Sequence, residues 1–358
     1  MTGRILRAIG ADAYSSWFEA HRATLHNRSP FHDPVWLDAA SRGIGFDLRF
    51  VGVFDDGELA AVVPGFLTRR GPFRLFGSPL RGTMTSYLGA VSLNPRLADD
   101  GQRDLAVACA EFVRREWRAS YARFTVRTAP LERLQPPGPA WRDQRAGSYR
   151  LDLSAGEEAL FAGLKSSCRR NVRAATRQGI SIAPLDDHRI FHRMLEETFH
   201  RHGSSSWHSA RFFETIMREL PPRGLLWSWG AHYDDQIIAA GLFLHDDREM
   251  HFISGASLPR YGRLPTSYLV HWHAIATAAR HGLRVFNSDA SKIRSIDQFK
   301  ETFNPVRESR GTLIWAPRPV WAAQRAFRTW HSGLRRLRGR IPAGERASAV
   351  TEVPGTRP

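Results

Sequence analysis

The chain has 358 residues, of which 42% are apolar and 24% charged, and its formal net charge is +16. That length suffices for two cores, and that composition is globular; it excludes a disordered, collagenous or membrane-embedded chain. The positive charge calls for an anionic partner, whether a nucleotide cofactor, tRNA or anionic lipid, without choosing among them. Nearly all of it is arginine: the lysines are Lys165, Lys292 and Lys300. Cys109 and Cys168 suit a reducing compartment and have no zinc or redox spacing. The start has no apolar core of signal-peptide length, and no run of about 20 apolar residues follows, so a cytoplasmic chain is expected.

In chain order, Asp12 to Leu25 reads as a helix, and Asp33-Pro-Val-Trp opens a second with Pro34 in its first turn. Leu48 to Phe54 alternates as a strand, Asp55-Asp-Gly-Glu turns, and Leu59 to Leu67 returns. Short strands are expected around Phe73 to Phe76 and Ser86 to Val91, then a helix over Asp99 to Trp117 and a strand over Ala122 to Arg127. Leu134-Gln-Pro-Pro-Gly-Pro is a connector, and Tyr149 to Leu153 the strand entering the second half. One helix is predicted over Ser154 to Arg177, capped by Ser154 with Glu157. Its apolar stripe is Leu164, Cys168, Val172 and Ala175, whereas Lys165, Arg169, Arg173 and Arg177 recur every four residues. Such a row is either a solvated face or an anion contact, because like charges at that spacing repel. Two more helices, Asp187 to His202 and Ser209 to Leu220, precede a second hairpin, Leu225 to Ala231 and Ile237 to Leu244.

The two hairpins repeat. Asp55-Asp56 with Ala60-Ala61 matches Asp234-Asp235 with Ala239-Ala240 at an offset of 234 − 55 = 179, and Thr85-Ser-Tyr-Leu recurs at Thr266, offset 266 − 85 = 181. Two copies of a helix-hairpin-strand-helix-strand unit account for this.

The stretch from Glu249 to Phe286 organises the second copy: a strand ending near Gly255, a loop, a helix from Pro265 to His281, and a strand from Leu283. A loop feeding a helix N-terminus offers unpaired N–H groups and the positive end of a macrodipole, which suits a pyrophosphate. Arg260 and Arg263 flank Gly262, Thr266 and Ser267 can cap, and Pro265 suits a first turn. An ordinary crossover with solvated arginines is the alternative. Histidine pairs such as His271 and His273 point to different sides of a helix, and His188 and His192 lack a third ligand, so no metal is expected.

Taken together, these motifs resemble the Fem-like branch of the GNAT acyltransferases, the FemAB/FemX enzymes and related N-acyltransferases. The resemblance rests on Lys165-x-x-x-Arg-Arg-Asn-Val-Arg-x-Ala, Ile237-Ile-Ala-Ala-Gly, Gly255-Ala, Leu269-Val-His-Trp-His-Ala-Ile, His281-Gly-Leu and Phe299-Lys-Glu-Thr-Phe, spanning Ser154 to Trp315. Ser29-Pro-Phe, Val35-Trp-Leu and Val62-Val-Pro-Gly are similar to the degenerate first unit of that branch. The resemblance implies a mixed α/β chain of two tandem GNAT-like domains, 1–150 and 151–315; the basic segment over 316–358 lies outside it.

It further implies transfer of an acyl group from acyl-CoA to a primary amine of an envelope or polysaccharide precursor. The alternative donor is aminoacyl-tRNA, adding an amino acid to a peptidoglycan precursor. A non-catalytic RNA- or membrane-binding module on a GNAT fold is a reading of another class. The strand through Ser254 and Gly255 would face the acyl carbonyl, and the loop through Arg260, Gly262, Arg263, Thr266 and Ser267 would receive the cofactor pyrophosphate. Lys165, Arg169, Arg173 and His271 are candidate substrate contacts. Asp289 is the candidate base or amine-positioning group, with a helix cap as its alternative. Lys300 binds an anionic group or pairs with an acid. Tyr268 substitutes distantly for the tyrosine acid of many GNATs, which is missing after Val285. Asn304 stands where the branch has Gly and tolerates the left-handed conformation.

The tail repeats Val320, Ala323, Phe327, Trp330, Leu334, Leu337 and Ile341 at helical spacing. From Ala316 to Pro358 there are nine Arg against two Glu, 9 − 2 = +7. A basic amphipathic helix over 320–341 either lies on an anionic membrane, making the protein peripheral at the inner face and near a lipid-linked substrate, or covers its own domain.

Overall fold

The computed structural model describes residues 4–98, 101–126, 136–201, 206, 208–291 and 293–325. The first unit begins with β1 (Ile5–Ile9), α1 (Ala11–His21) and α2 (Pro34–Ile44). Asp33 caps α2 by accepting from the Val35 N–H, 2.9 Å, ahead of Pro34 in its first turn. Then come β2 (Asp47–Asp55), β3 (Glu58–Arg70), β4 (Phe73–Ser78), β5 (Val91–Ser92), α3 (Pro95–Ala98), α4 (Gln102–Glu116) and β6 (Tyr121–Val126). The second unit has β7 (Trp141–Asp152), α5 (Glu157–Gly163), α6 (Ser166–Arg177), β8 (Ser181–Pro184), α7 (His188–Arg201) and α8 (Ala210–Glu219). It ends with β9 (Leu226–Tyr233), β10 (Gln236–His245), β11 (Glu249–Ser257), α9 (Thr266–Arg280), β12 (Val285–Asp289), α10 (Arg294–Glu301) and β13 (Val306–Trp315).

The strands form one sheet in the order β1-β2-β3-β4-β6-β13-β7-β12-β11-β10-β9-β8, with β5 beside β3. Within it the units repeat. Each has a helix pair directly before an antiparallel hairpin, α1–α2 in the first and α7–α8 in the second, and then a strand, helix and strand in which the two strands are parallel: β4 with β6 across α4, and β11 with β12 across α9. The hairpin turns are two-residue loops with both φ positive, 49° and 87° at Asp56 and Gly57, 46° and 57° at Asp234 and Asp235. Each hairpin also skips one residue on its return strand, Ala60 in β3 and Ile238 in β10. This corrects the repeat register to 234 − 56 = 239 − 61 = 178; the run of identical letters at 179 is one residue out of phase. Nor are the two Thr-Ser-Tyr-Leu segments equivalent: the first lies in the connection from β4 to α4, the second opens α9.

The strand that comes after the last parallel strand of each repeat, β6 or β12, pairs with the other repeat. Chain order places β7 after β6, yet β7 pairs with β12; β13 follows β12, yet it pairs with β6. The exchanged strands pair with each other from Val306↔Arg150 to Trp315↔Trp141. One apolar core joins α1 and α2 to α5–α9, and a second lies between α4 and the first unit's strands.

The helix expected over Ser154 to Arg177 is two helices. Leu164 and Lys165 between them are extended, with ψ of 149° and 148°, and α5 starts after Gly156 without a side-chain cap from Ser154. The Arg169 guanidinium donates to the carbonyls of Ala162, 2.6 Å, and Leu164, satisfying the end of α5 across the break. Strands β1 and β8 on the two sheet edges escaped the pattern reading, and the strand expected over Ser86 to Val91 is irregular until β5. Residues 318–325 are helical; Trp321 donates its indole N–H to the Ala140 carbonyl, 3.0 Å, beneath the Arg142 guanidinium. The tail pattern beyond 325 lies outside the described residues. Among the described residues, no helix is long and apolar enough to cross a membrane, and no group of His, Cys, Asp or Glu forms a metal site.

Candidate functional site

The parallel pair β11 and β12 is in register only from Glu249↔Val285 to Phe252↔Ser288. Beyond Phe252, β11 stays with β10 but leaves β12, and Ile253 is an extra residue opposite the Leu242–Phe243 step. A bulge adds local twist and ends pairing, which opens a wedge here and leaves β11 backbone from Ile253 onward without a β12 partner. Gly255 faces Gly241 across the ladder, and a side-chain carbon at Gly255 would stand 2.8 Å from the Phe252 ring. Ser254 and Gly255 therefore lie on the open edge.

The loop after β11 makes a short turn at Pro259–Tyr261 and reaches α9 through Pro265, which is the N-cap residue rather than a first-turn residue; no side chain caps the helix. Gly262 adopts ordinary right-handed dihedrals, φ −62° and ψ −10°, and spends its N–H on the Pro259 carbonyl, 3.0 Å. The unpaired N–H groups of the helix start thus belong to Thr266 and Ser267. Arg263 is exposed; Arg260 is exposed too, but donates to Gln236 Oε1, 3.0 Å, and stacks on Tyr261.

Asp289 ends β12 and caps nothing: α10 follows Ile293 with no side-chain cap. Its Oδ1 accepts from Arg310 Nη1, 2.8 Å, while Arg310 Nη2 donates to Ser148 Oγ, 2.7 Å. Lys300 Nζ donates to the Asp289 carbonyl, so two cations from different elements hold this residue. Burial lowers the Lys300 pKa, opposed by Asp289 and Asp297. The Asp289 side chain keeps 45% of its surface exposed, against 8% for Arg310.

His271 lies under β11 among Phe243, Phe252, Phe299 and Phe303, with ring centroids 4.5–5.8 Å away. Its Nδ1 sits 2.9 Å from the Ser267 carbonyl, and because a carbonyl only accepts, Nδ1 carries the proton. Burial lowers its pKa to about 3, and its Nε2 is sealed without a partner. Tyr268 packs edge-on against Phe299, 4.8 Å. Of the basic residues on α6 and at its N-cap, Lys165 and Arg173 are exposed, Arg173 over the Phe161 ring, whereas Arg169 is committed to the fold.

Three groups that the sequence reading did not single out lie buried on the opposite face of the same strands. Glu249 Oε1 is 3.1 Å from His251 Nε2, and Asn287 Nδ2 donates to Glu249 Oε2, 3.1 Å. Alternation along β11 placed Glu249 and His251 on one face, but the third member comes from β12.

In the first unit the corresponding wedge is filled. Pairing of β4 with β6 stops at Ser78↔Phe124, and the chain from Thr85 to Val91 lies across the opening with Tyr87, Leu88 and Ala90 buried. At Gly89, φ +100°, an added side-chain carbon would meet the Thr125 carbonyl at 2.7 Å, so only glycine passes. The space left beside α4 is about 20 Å³, lined by Val63, Leu105, Cys109 and Phe124, room for a single water.

Residues 163–300 match the family model described as an acetyltransferase (GNAT) domain. No curated protein matches the sequence. Among solved structures the fold is similar to FemX, with a TM-score of 0.66 at 11% identity, covering 89% of this chain and 99% of that one. It is also similar to a tandem GNAT protein from the clavulanic acid biosynthesis pathway, TM-score 0.56 at 14% identity over 87% and 98% of the two chains. The C-terminal domain of a putative lysylphosphatidylglycerol synthetase from Agrobacterium fabrum gives a TM-score of 0.57 at 12% identity over 87% and 94%. Residues 163–300 thus carry a GNAT domain, and the chain as a whole has the fold seen in FemX and in the tandem GNAT protein.

Proposed function

We propose that the protein is an N-acyltransferase that moves an acyl group from acyl-CoA to a primary amine, with its donor site in the second unit. The observation that carries this is the wedge between β11 and β12, bulged at Ile253, beside the uncapped start of α9. Such a wedge suits a thioester carbonyl lying against free β11 backbone, and the Thr266 and Ser267 N–H groups with Arg263 suit its pyrophosphate. The amine attacks in its unprotonated form, the oxyanion of the tetrahedral intermediate is held by backbone donors, and the C–S bond breaks as the amide forms, the proton shed by the nitrogen ending on the departing thiolate. Removing one such donor costs about 3 kcal/mol of barrier. Asp289, half-exposed at the end of β12 with its Oδ1 on Arg310, suits a carboxylate that holds the incoming amine. An envelope or polysaccharide precursor is the acceptor class in keeping with the Fem-like fold.

Calorimetry with acetyl-CoA tests the reading. Binding that survives ribonuclease and weakens at least about tenfold in Gly262→Asp, where a carboxylate enters the loop, supports it; no binding at millimolar acetyl-CoA overturns it. One observation favours aminoacyl-tRNA as donor instead: Lys165, Arg170, Arg173 and Arg177 stand exposed along α6, a helix without a single acid. Retention of tRNA with a steep salt slope, alongside indifference to acetyl-CoA, would select that donor.

A further inference from the structure

Glu249, His251 and Asn287 are buried polar groups that the donor site does not use, although two of them stand where its wedge begins. In the parallel pair His251 lies opposite Asn287, and the final rung, Phe252 opposite Ser288, points to the other face, where Phe252 meets His271 of α9. On β10, Leu244 and Leu242 lie opposite His251 and Ser254, so the bulge at Ile253 returns Ser254 to the face of His251. Alternation along β12 likewise puts Asp289 on the face of Asn287. Ser254 and Asp289 therefore flank the opening on this face, with His251 and Asn287 at its foot. Phe31 of the first unit packs edge-on against the His251 ring, 4.8 Å, so the face is turned towards the seam between the units.

The imidazole is held in one tautomer. Glu249 Oε1, 3.1 Å from Nε2, is a carboxylate oxygen that only accepts, so Nε2 carries the proton and Nδ1 presents the lone pair. Asn287 Nδ2 donates to the other oxygen of Glu249, 3.1 Å, which keeps the carboxylate against the ring. Among the described residues nothing bonds Nδ1. The side chain is 3% exposed, yet Nδ1 keeps contact with solvent, unlike the sealed Nε2 atoms of His245 and His271. A carboxylate on one nitrogen and an unspent lone pair on the other is the arrangement of a base whose charged form is stabilised as it appears. Apolar residues would join these strands at least as well, since a buried charge is costly to keep for packing alone.

We propose that His251 takes a proton from the incoming ammonium, with Glu249 as its orienting and charge-balancing partner and Asp289 holding the ammonium across the opening. The inference rests on the acyltransferase reading above. An amine that arrives as R–NH3+ gives one proton to His251 Nδ1, and the imidazolium so formed is balanced by Glu249. The freed lone pair attacks the thioester carbonyl, the C–N bond forms and the C–S bond breaks. The proton that the nitrogen then sheds ends on the thiolate, and His251 returns its own to water.

Acetyl transfer from acetyl-CoA by the full chain, to ethylamine and to hydroxylamine, tests it once the uncatalysed reaction is subtracted. At mildly alkaline pH ethylamine is almost wholly an ammonium and needs the base, whereas hydroxylamine is largely unprotonated and does not. His251→Gln should slow transfer to ethylamine about a hundredfold, leave hydroxylamine within about threefold, and bind acetyl-CoA as the parent does. Failure of the parent to bind acetyl-CoA would sink the donor reading instead, which keeps the two failures apart. Nitrogen NMR of the histidine-labelled parent gives a readout that no folding defect of a variant can mimic. There the His251 ring should carry its proton on Nε2 alone, with its resonances moved by Glu249→Gln. The proposal is overturned if His251→Gln slows both amines equally or neither, if the parent binds acetyl-CoA yet transfers to neither amine, or if the ring proton sits on Nδ1.

Discussion

Arg310 governs the end of β12. Its two nitrogens are divided between Asp289 and Ser148, so Arg310→Met should release the Asp289 carboxylate while keeping the volume of the strand. With Asp289 holding the amine, turnover should drop about a hundredfold with acetyl-CoA affinity unchanged, a loss of orientation; steady-state kinetics with calorimetry check both. His271 gives a prediction in pH. Its folded-state pKa of about 3 lies below the unfolded value of about 6.5, so between them the unfolded chain binds the extra proton and stability falls as pH falls. His208 and His245, each lowered to about 4 by burial, act in the same sense. Denaturant melts at pH 7.5 and 5 should show a smaller acid loss for His271→Phe than for the parent, by up to about 1.4 kcal/mol per pH unit. Some of this was readable in sequence: Asn304 takes φ 58°, as its place in a motif that ends in glycine requires. Arg310 was not, because a strand arginine 21 positions from Asp289 acquires its role only through pairing that no local pattern encodes.

At the scale of elements, the periodic helices and both hairpins were legible, since a 3.6 or 2-residue repeat needs no tertiary information. The break inside Ser154 to Arg177 was hidden because the apolar stripe runs on through Leu164. What ends α5 is the Arg169 guanidinium on two carbonyls, so Arg169→Ala should cost about 1–2 kcal/mol of stability without weakening binding of an anionic ligand. Arg170→Ala with Arg173→Ala should do the reverse, and thermal melts paired with tRNA filter binding separate the two. Edge strands β1 and β8 are short and mostly exposed, which left them without an alternating signature. The opening of the second wedge and the closure of the first come from one bulged residue and one glycine, below the resolution of any pattern.

Across the whole molecule, the two units are tied by charge as well as by the sheet. Arg28 from the first unit, its side chain 1% exposed, bridges Asp246 and Asp247 of the second at 3.5 and 2.7 Å. Removing one partner of a buried pair leaves the others uncompensated, so Arg28→Met should lower stability by about 3–5 kcal/mol. Unfolding should nevertheless remain a single transition followed by calorimetry, because α1 and α2 share a core with α5–α9. The reciprocal crossing of β7 and β13 bears on how such a molecule can be divided. A break between β6 and β7 yields one piece lacking the neighbour of β6 and another whose β13 has an empty flank. Neither piece is self-sufficient, each exposing a naked interior edge prone to sticking to itself. Yet the two edges are complementary, so the halves, synthesised apart and mixed, should reassemble into a working whole.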